Sequence, residues 1–333
     1  MNRINNGKYK TKNQFGNYTD FVNDYINQLY DRSLELYLKR YTRNNSTGTQ
    51  RIDIEKIEES LGYIGDYLFY FYQFNNGEFL SIFKNLIDDL KIVTVFPPEK
   101  RGLYGQYSSS EKVLYINPQL RSSQRLSSDE RTRLYICHEL GHIQNSKWMK
   151  KLIPILNGID CSNEDRELMY DGFSLVDEAT TQDRAENITY YFSSKLRPGM
   201  SLCSTKLFSR KPFETNFDYY GEFQLPTIDF ARTLRGIGKI DDRNLVMNEF
   251  DKRALNEEFS KRIFDEYIND NQIKNLFYLV KRLGVIKNAS YAAFGYGNVE
   301  CLRKSSEALK EYNQVVGKMR DYREPIVARS CNK

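Results

Sequence analysis

One stretch of the sequence, Arg131-Thr132-Arg133-Leu134-Tyr135-Ile136-Cys137-His138-Glu139-Leu140-Gly141-His142, contains both histidines of the chain. The acidic segment Ser128-Asp129-Glu130 before it is typical of the capped start of a helix, so we predict that the stretch is helical. On a helix, His138 and His142 lie one turn apart on the same face, close enough for both imidazoles to bind one zinc ion. Glu139 follows the first histidine directly and can lean toward a metal-bound water as general base.

A catalytic zinc site needs a third protein ligand, and no histidine remains to supply it. The best candidate is Glu178, which we expect near the start of the next strong helix. Glu186, two turns further along that helix on a similar face, is the second choice. The other candidates are Asp183 and Asp177. Cys137, about 100° around the helix from His138, is expected to be packed rather than to bind metal.

The pattern of apolar residues before this stretch predicts helices followed by a small sheet. A loose polar arm, residues 1–17, precedes three predicted helices, at 20–40, from about 54 to 74, and at 78–90. The β-branched segment 92–96 predicts a strand, and segments 103–107 and 113–117 predict an antiparallel hairpin.

The chain after the histidines is mostly helical in pattern. A second strong helix is predicted from about Leu175 to Leu196, where Arg197-Pro198-Gly199 stops it. Residues 200–230 are loop-rich, further helical patterns cover 255–267 and 276–283, and the last forty residues have a helical pattern with a basic end. We therefore predict a predominantly helical α+β protein with an arm (1–17), a helical N-terminal region (18–90), a core with the sheet and both site helices (91–199) and a helical C-terminal region (200–333).

Composition excludes several classes of protein. The chain has 333 residues, 40% hydrophobic and 28% charged, which is a globular rather than a disordered balance. No apolar run is long enough to span a membrane. The net charge of +5 is mild, and the basic residues of 303–329 are interspersed with acids, which argues against a nucleic-acid-binding role. Five scattered cysteines without a CxxC pair, and a start without an apolar signal core, predict reduced thiols and a cytoplasmic protein.

A helix of this HExxH type followed by a glutamate on a second helix resembles the gluzincin metallopeptidases. More narrowly, residues 83–142 resemble the ImmA/IrrE group of bacterial and phage metallopeptidases. The resemblance is carried by Leu103-Tyr104-Gly105-Gln106-Tyr107, by Val113-Leu114-Tyr115-Ile116-Asn117-Pro118 and by the histidine stretch, and it extends over roughly residues 83–198.

The third-ligand segment Asp177-Glu178-Ala179-Thr180-Thr181-Gln182 is similar to the Glu-Gly-x-Thr-Glu type of motif, with three departures. Its distance from the histidines implies an insertion around 150–172. Ala179 replaces the frequent glycine, and Gln182 stands where many gluzincins have an aspartate that orients a histidine ligand.

The resemblance implies a zincin-like core with one Zn²⁺ per chain, held by His138, His142 and Glu178. The implied activity is that of an endopeptidase with Glu139 as general base, acting on a protein or peptide substrate such as a repressor or regulatory protein. An extended peptide would pair with the sheet edge along Tyr104–Tyr107. The available oxyanion donors are Arg184, Tyr190, Tyr191 and the pair Tyr219-Tyr220. Two alternatives remain: a catalytically silent regulatory protein with a zincin fold, and an exported effector of the zincin type.

Overall fold

The computed structural model describes residues 16–43, 45–74, 76–121 and 126–193, most of 270–281, and residue 314. Five long helices and three short strands are the main elements between residues 16 and 193. In chain order they are α1 (Gly16–Tyr41), α2 (Thr47–Phe74), α3 (Asn76–Asp89), β1 (Ile92–Val95), β2 (Gly105–Ser108), β3 (Val113–Ile116), α4 (Ser128–Asn157) and α5 (Asn163–Phe192). A short 3-10 helix, Pro98–Lys100, lies between β1 and β2. The predicted class, α+β and predominantly helical, is confirmed.

The three strands form one mixed sheet in the order β1-β3-β2. Strands β2 and β3 pair antiparallel, with Gly105 opposite Ile116, as the hairpin prediction required. Strand β1 pairs parallel with β3, with Ile92 opposite Val113. Because β3 lies between the other two strands, β2 is at an edge of the sheet.

The three N-terminal helices form the predicted helical region and pack on the sheet. The Ser33 hydroxyl of α1 accepts a 2.9 Å hydrogen bond from the backbone N–H of Val93 in β1. The Tyr25 hydroxyl donates to the Leu86 carbonyl at the end of α3. Burial of the apolar faces supplies the main stabilisation of this region. Its fully buried side chains include Leu29, Tyr37, Ile64, Tyr67, Leu68, Phe71, Val93, Val95 and Leu114.

Helix α4 begins where the sequence predicts, because Ser127 and Glu130 form a reciprocal cap. The Ser127 hydroxyl accepts from the Glu130 N–H at 3.2 Å, and the Glu130 carboxylate accepts from the Ser127 N–H at 2.8 Å. Leu140 and Ile143 are fully buried. The helix then continues to Asn157, well past Trp148, with Pro154 in its last turn.

Helix α5 begins earlier than predicted, and this is a correction. Its start at Asn163 is capped by Ser162, whose hydroxyl accepts from the Asp165 N–H at 3.1 Å. Residues 150–172, expected to be an insertion, are the end of α4, a short turn and the first part of α5. Glu178 consequently lies in the middle of α5 rather than near its start. The last residue of the helix is Phe192, before the predicted end at Leu196.

Contacts divide the described residues into two compact units. The first contains those up to Gln144 and those from Arg184 to Ser193. The second contains residues 145–183 and the described residues of 270–281, and there Lys274 forms a 2.6 Å ion pair with Asp165 and Phe173 packs on Phe277. Nine residues between 270 and 281 are described, and all but Asp270 are helical. This agrees with the helical pattern predicted for 276–283, although helical residues begin earlier, at 271.

Several predictions lie outside the described residues: the arm up to residue 15, the loop 200–230, the helix 255–267 and the end of the chain apart from residue 314. The predicted arm, residues 1–17, extends two residues too far, because α1 begins at Gly16. In the part of the chain that the structure describes, no helix is both long and apolar enough to cross a membrane.

Candidate metal centre

Helix α4 brings the two histidine side chains together. Their Nε2 atoms lie 3.1 Å apart, and their rings are nearly perpendicular with centroids 4.7 Å apart. His138 is buried and His142 is half-buried. Two nitrogens that each lie about 2.0–2.1 Å from one tetrahedral zinc ion are separated by about 3.3 Å. The observed separation of the two nitrogens therefore fits joint binding of one ion.

Glu178 of α5 joins this pair. One ligand atom from each of His138, His142 and Glu178 lies within 4.8 Å of the other two, and within the described residues this is the one group of three or more candidate ligands. Two imidazole nitrogens and one carboxylate oxygen are a donor set that catalytic zinc sites use. The three residues therefore form a possible metal-binding triad, and their chemistry fits zinc.

The alternative ligands of the sequence analysis do not belong to this group. Glu186 is buried on α5 but is not one of the three clustered residues. Asp177 accepts a hydrogen bond from Asn145. Cys137 is fully buried, and burial raises the pKa of its thiol far above the ordinary value, which disfavours the thiolate that would bind a metal. The side chain of Asp183 lies outside the described residues.

Glu139 contacts the edge strand of the sheet. Its Oε2 accepts a 2.7 Å hydrogen bond from the backbone N–H of Tyr107 in β2. A Cβ atom added at Gly105 would lie 3.6 Å from Cγ of Glu139 and 3.7 Å from Cβ of Tyr135. Strand β2 therefore runs directly along the face of α4 that carries the candidate general base.

Hydrogen bonding along β2 fixes which backbone groups point away from β3. The Tyr104 carbonyl accepts from the Asn117 N–H at 3.0 Å, so Tyr104 bonds on the β3 side. The Tyr107 N–H points the other way, to Glu139. The backbone groups of successive residues point to alternate sides of a strand. The N–H and carbonyl of Gly105, two residues before Tyr107, therefore also point away from β3. This outer edge of β2 is the side on which a further extended strand would pair.

The aromatic ring of Tyr104 continues this edge beyond the start of β2. It stacks on Tyr135 of α4 with a centroid distance of 4.7 Å and an interplanar angle of 3°. The guanidinium of Arg131 lies 5.8 Å from the Tyr104 ring centroid. These contacts join the segment before β2 to α4 one and two turns N-terminal to Glu139.

Two of the candidate oxyanion donors are held by other side chains. Arg184 is buried and donates a 3.0 Å hydrogen bond to Oε1 of Gln144, which also accepts from the Tyr67 hydroxyl at 2.6 Å. Burial raises the pKa of Tyr67 to about 12, so this hydroxyl remains a donor at neutral pH. The Tyr191 hydroxyl donates to Gln73. Tyr190 is buried, and Tyr219 and Tyr220 lie outside the described residues.

Asn145 contacts two residues that flank Glu178 on α5, and the sequence analysis missed it. Its side chain is buried, and its Nδ2 donates to Oδ1 of Asp177 at 2.6 Å and to Oγ1 of Thr181 at 3.3 Å. The signal that could have found it is its position three residues after His142, on the same face of α4.

Comparisons of the chain with protein-family models, with curated proteins and with solved structures find no match. A function is therefore inferred from the site residues.

Proposed function

We propose that this protein is a zinc-dependent endopeptidase with a zincin-like core of the gluzincin, ImmA/IrrE-like type. The observation that carries the proposal is the convergence of His138, His142 and Glu178, whose ligand atoms lie within 4.8 Å of one another. The zincin-like core comprises the three-stranded sheet, α4 and α5. Zinc, one ion per chain, would be held by these three side chains, which leaves a fourth position open.

Glu139 distinguishes a catalytic role from a purely structural one. A bound zinc ion would lower the pKa of its water and polarise the scissile carbonyl. Glu139, next to His138 in sequence, accepts the proton of the attacking water and delivers it to the leaving amine. A structural zinc site has no use for a carboxylate in this place, so Glu139 favours the enzyme over the silent regulatory protein.

The substrate is an extended segment of a protein or peptide. The outward-facing backbone groups of Gly105 and the hydrogen bond from Tyr107 to Glu139 put the edge of β2 and the general base side by side. A peptide that pairs with this edge would run past Glu139 with its carbonyl groups near the triad. By resemblance to the ImmA/IrrE group, we propose a repressor or another regulatory protein in the cytoplasm as the natural substrate.

The first test is the metal content of the untagged protein, measured by elemental mass spectrometry after exposure to zinc and removal of the excess. We expect about one zinc per chain, since a complete three-ligand site holds its ion tightly. No retained zinc would contradict the proposal and favour the regulatory protein.

The second test separates metal binding from catalysis. Zinc-loaded protein and its Glu139→Gln variant are incubated with a complex peptide mixture, and new peptide ends are identified by mass spectrometry. We expect cleavage by the wild type, and in the variant an unchanged zinc content with a turnover at least about 100-fold lower. Equal turnover in the variant would exclude Glu139 as the general base.

A further inference from the structure

Asn145 bridges two residues that flank Glu178 on α5. One of its acceptors, Asp177, directly precedes Glu178, and the other, Thr181, follows it by three residues. Asn145 is 5% exposed and Thr181 is fully buried, so water competes little for these hydrogen bonds. The side chain of Asn145 therefore ties the turn of α5 from which Glu178 projects to α4.

On α4, Asn145 belongs to the same stripe as the two histidines. With about 100° of rotation per residue, positions 138, 142 and 145 lie within about 60° of one another around the helix. Along α4 this stripe therefore carries two imidazoles and, about one turn further, the amide of Asn145. The same face of α4 offers both the histidine ligands and the contact that orients the turn carrying Glu178.

We propose that Asn145 is a positioning residue for the third metal ligand. The Glu178 carboxylate is carried by a long, flexible side chain, and confining such a side chain to one rotamer costs conformational entropy when the metal binds. By fixing the turn between Asp177 and Thr181 before the metal arrives, Asn145 reduces the motion that must be lost. Residues that orient metal ligands in this way typically change metal affinity 10- to 100-fold when they are replaced.

The chemistry of the Asn145–Asp177 pair suggests a selective substitution. Asn145→Asp preserves the size of the side chain, but it replaces the donor by a second carboxylate, which repels Asp177. The exchange of both residues, Asn145→Asp with Asp177→Asn, restores one donor and one acceptor with the hydrogen bond reversed. A milder change, Thr181→Val, removes the 3.3 Å hydrogen bond from Asn145 and keeps Asp177 as an acceptor.

The experiment measures zinc affinity by competition with a chromophoric chelator. We expect Asn145→Asp to bind zinc 10- to 100-fold more weakly, Thr181→Val a few-fold more weakly, and the exchanged double variant within about threefold of the wild type. The matched control is Asn157→Asp, the same substitution at an exposed position of the same helix, which should bind zinc as the wild type does.

A second readout separates positioning from general stability. The visible spectrum of bound Co²⁺ reports the ligand set, and we expect Asn145→Asp at saturating Co²⁺ to keep the wild-type spectrum, unlike Glu178→Ala. The metal-free thermal transition of the double variant should match that of the wild type. Zinc affinity unchanged in Asn145→Asp would overturn the inference, and so would an affinity as low in the double variant as in the single one. If Asn145→Asp does not fold, the zinc affinities of Thr181→Val and of the double variant are compared with that of the wild type. Unchanged zinc affinity in Thr181→Val would then overturn the inference.

The inference rests on the metal site of the proposed function and not on peptidase activity. A wild-type protein that binds zinc but cleaves no peptide would refute the endopeptidase and leave the role of Asn145 intact. A wild-type protein that binds no zinc would refute both.

Discussion

The backbone N–H of Tyr107 donates a 2.7 Å hydrogen bond to Oε2 of Glu139, which links the edge strand of the sheet to the helix that carries both histidines. Hydrogen bonds to a charged group are stronger than those between neutral groups. The bond therefore holds the carboxylate at the edge where a peptide would pair. The same strand thus offers the edge proposed for the substrate and a donor to the proposed general base.

This bond can be removed without disturbing the sheet. Because the Tyr107 N–H points away from β3, Tyr107→Pro removes no hydrogen bond of the β-ladder, and proline is tolerated at such edge positions. We expect kcat to fall about tenfold or more relative to Tyr107→Ala, since a hydrogen bond to a charged group contributes about 1.5–3 kcal/mol.

Tyr107→Ala is the matched control for that variant because it loses the same ring but keeps the N–H. Both variants should retain their zinc, and circular dichroism checks that both are folded. Equal kcat values for the two variants would mean that the backbone donor has no part in catalysis.

The identity of the third ligand can be tested by two substitutions on one helix. Glu178→Ala should lose most of its zinc during removal of the excess metal, whereas Glu186→Ala should retain about one ion per chain, because only Glu178 clusters with the histidines. Elemental mass spectrometry measures both. The reverse result would transfer the role of third ligand to Glu186.

Local signals were enough to predict the central site residues. Residues four apart, such as His138 and His142, lie on the same face of any α-helix, and this does not depend on contacts with the rest of the chain. The cap formed by Ser127 and Glu130 is equally local, so the start of α4 was predicted correctly. Glu178 was the preferred third ligand over Glu186 on sequence grounds, and it is the one that lies with the histidines.

Other features depend on contacts between distant parts of the chain and could not be predicted in this way. The start of α5 was missed although Ser162 caps it, because charged residues interrupt the apolar pattern of its first turns. Asn145 lies on the histidine face of α4, but its partner Asp177 lies 32 residues further along the chain, and no local pattern pairs the two. The parallel pairing of β1 with β3 likewise depends on how the chain connects the strands, and the residues of neither strand determine it.

A buried ion pair fixes the segment that leads into the edge strand. Arg101, between β1 and β2, donates to Oδ2 of Asp53 at 2.8 Å, and the same oxygen accepts from the Tyr37 hydroxyl at 2.9 Å. The Asp53 side chain is fully buried. We expect Arg101→Met to lower the free energy of unfolding by about 3–5 kcal/mol, because it leaves the carboxylate buried without its cation.

Urea unfolding followed by circular dichroism measures this loss, and a second variant tests its cause. In Asp53→Asn with Arg101→Met no charge is buried, so we expect the double variant to be more stable than Arg101→Met alone. A double variant that is less stable than the single one would show that the loss comes from packing of the Arg101 side chain rather than from the charge of Asp53.

The two described cysteines should differ sharply in reactivity. Cys137 is fully buried beside His138, and burial raises the pKa of its thiol, whereas Cys161 lies half-buried in the turn between α4 and α5. Alkylation requires both access to the sulfur and the thiolate form, so iodoacetamide at neutral pH should modify Cys161 and spare Cys137 until the protein unfolds in urea. Mass spectrometry of the tryptic peptides distinguishes the two sites. The same labelling with and without zinc tests whether Cys137 binds the metal as a thiolate. If zinc protects Cys137 from labelling, Cys137 is a metal ligand after all. Slow labelling of Cys137 in both states agrees with a side chain that only packs.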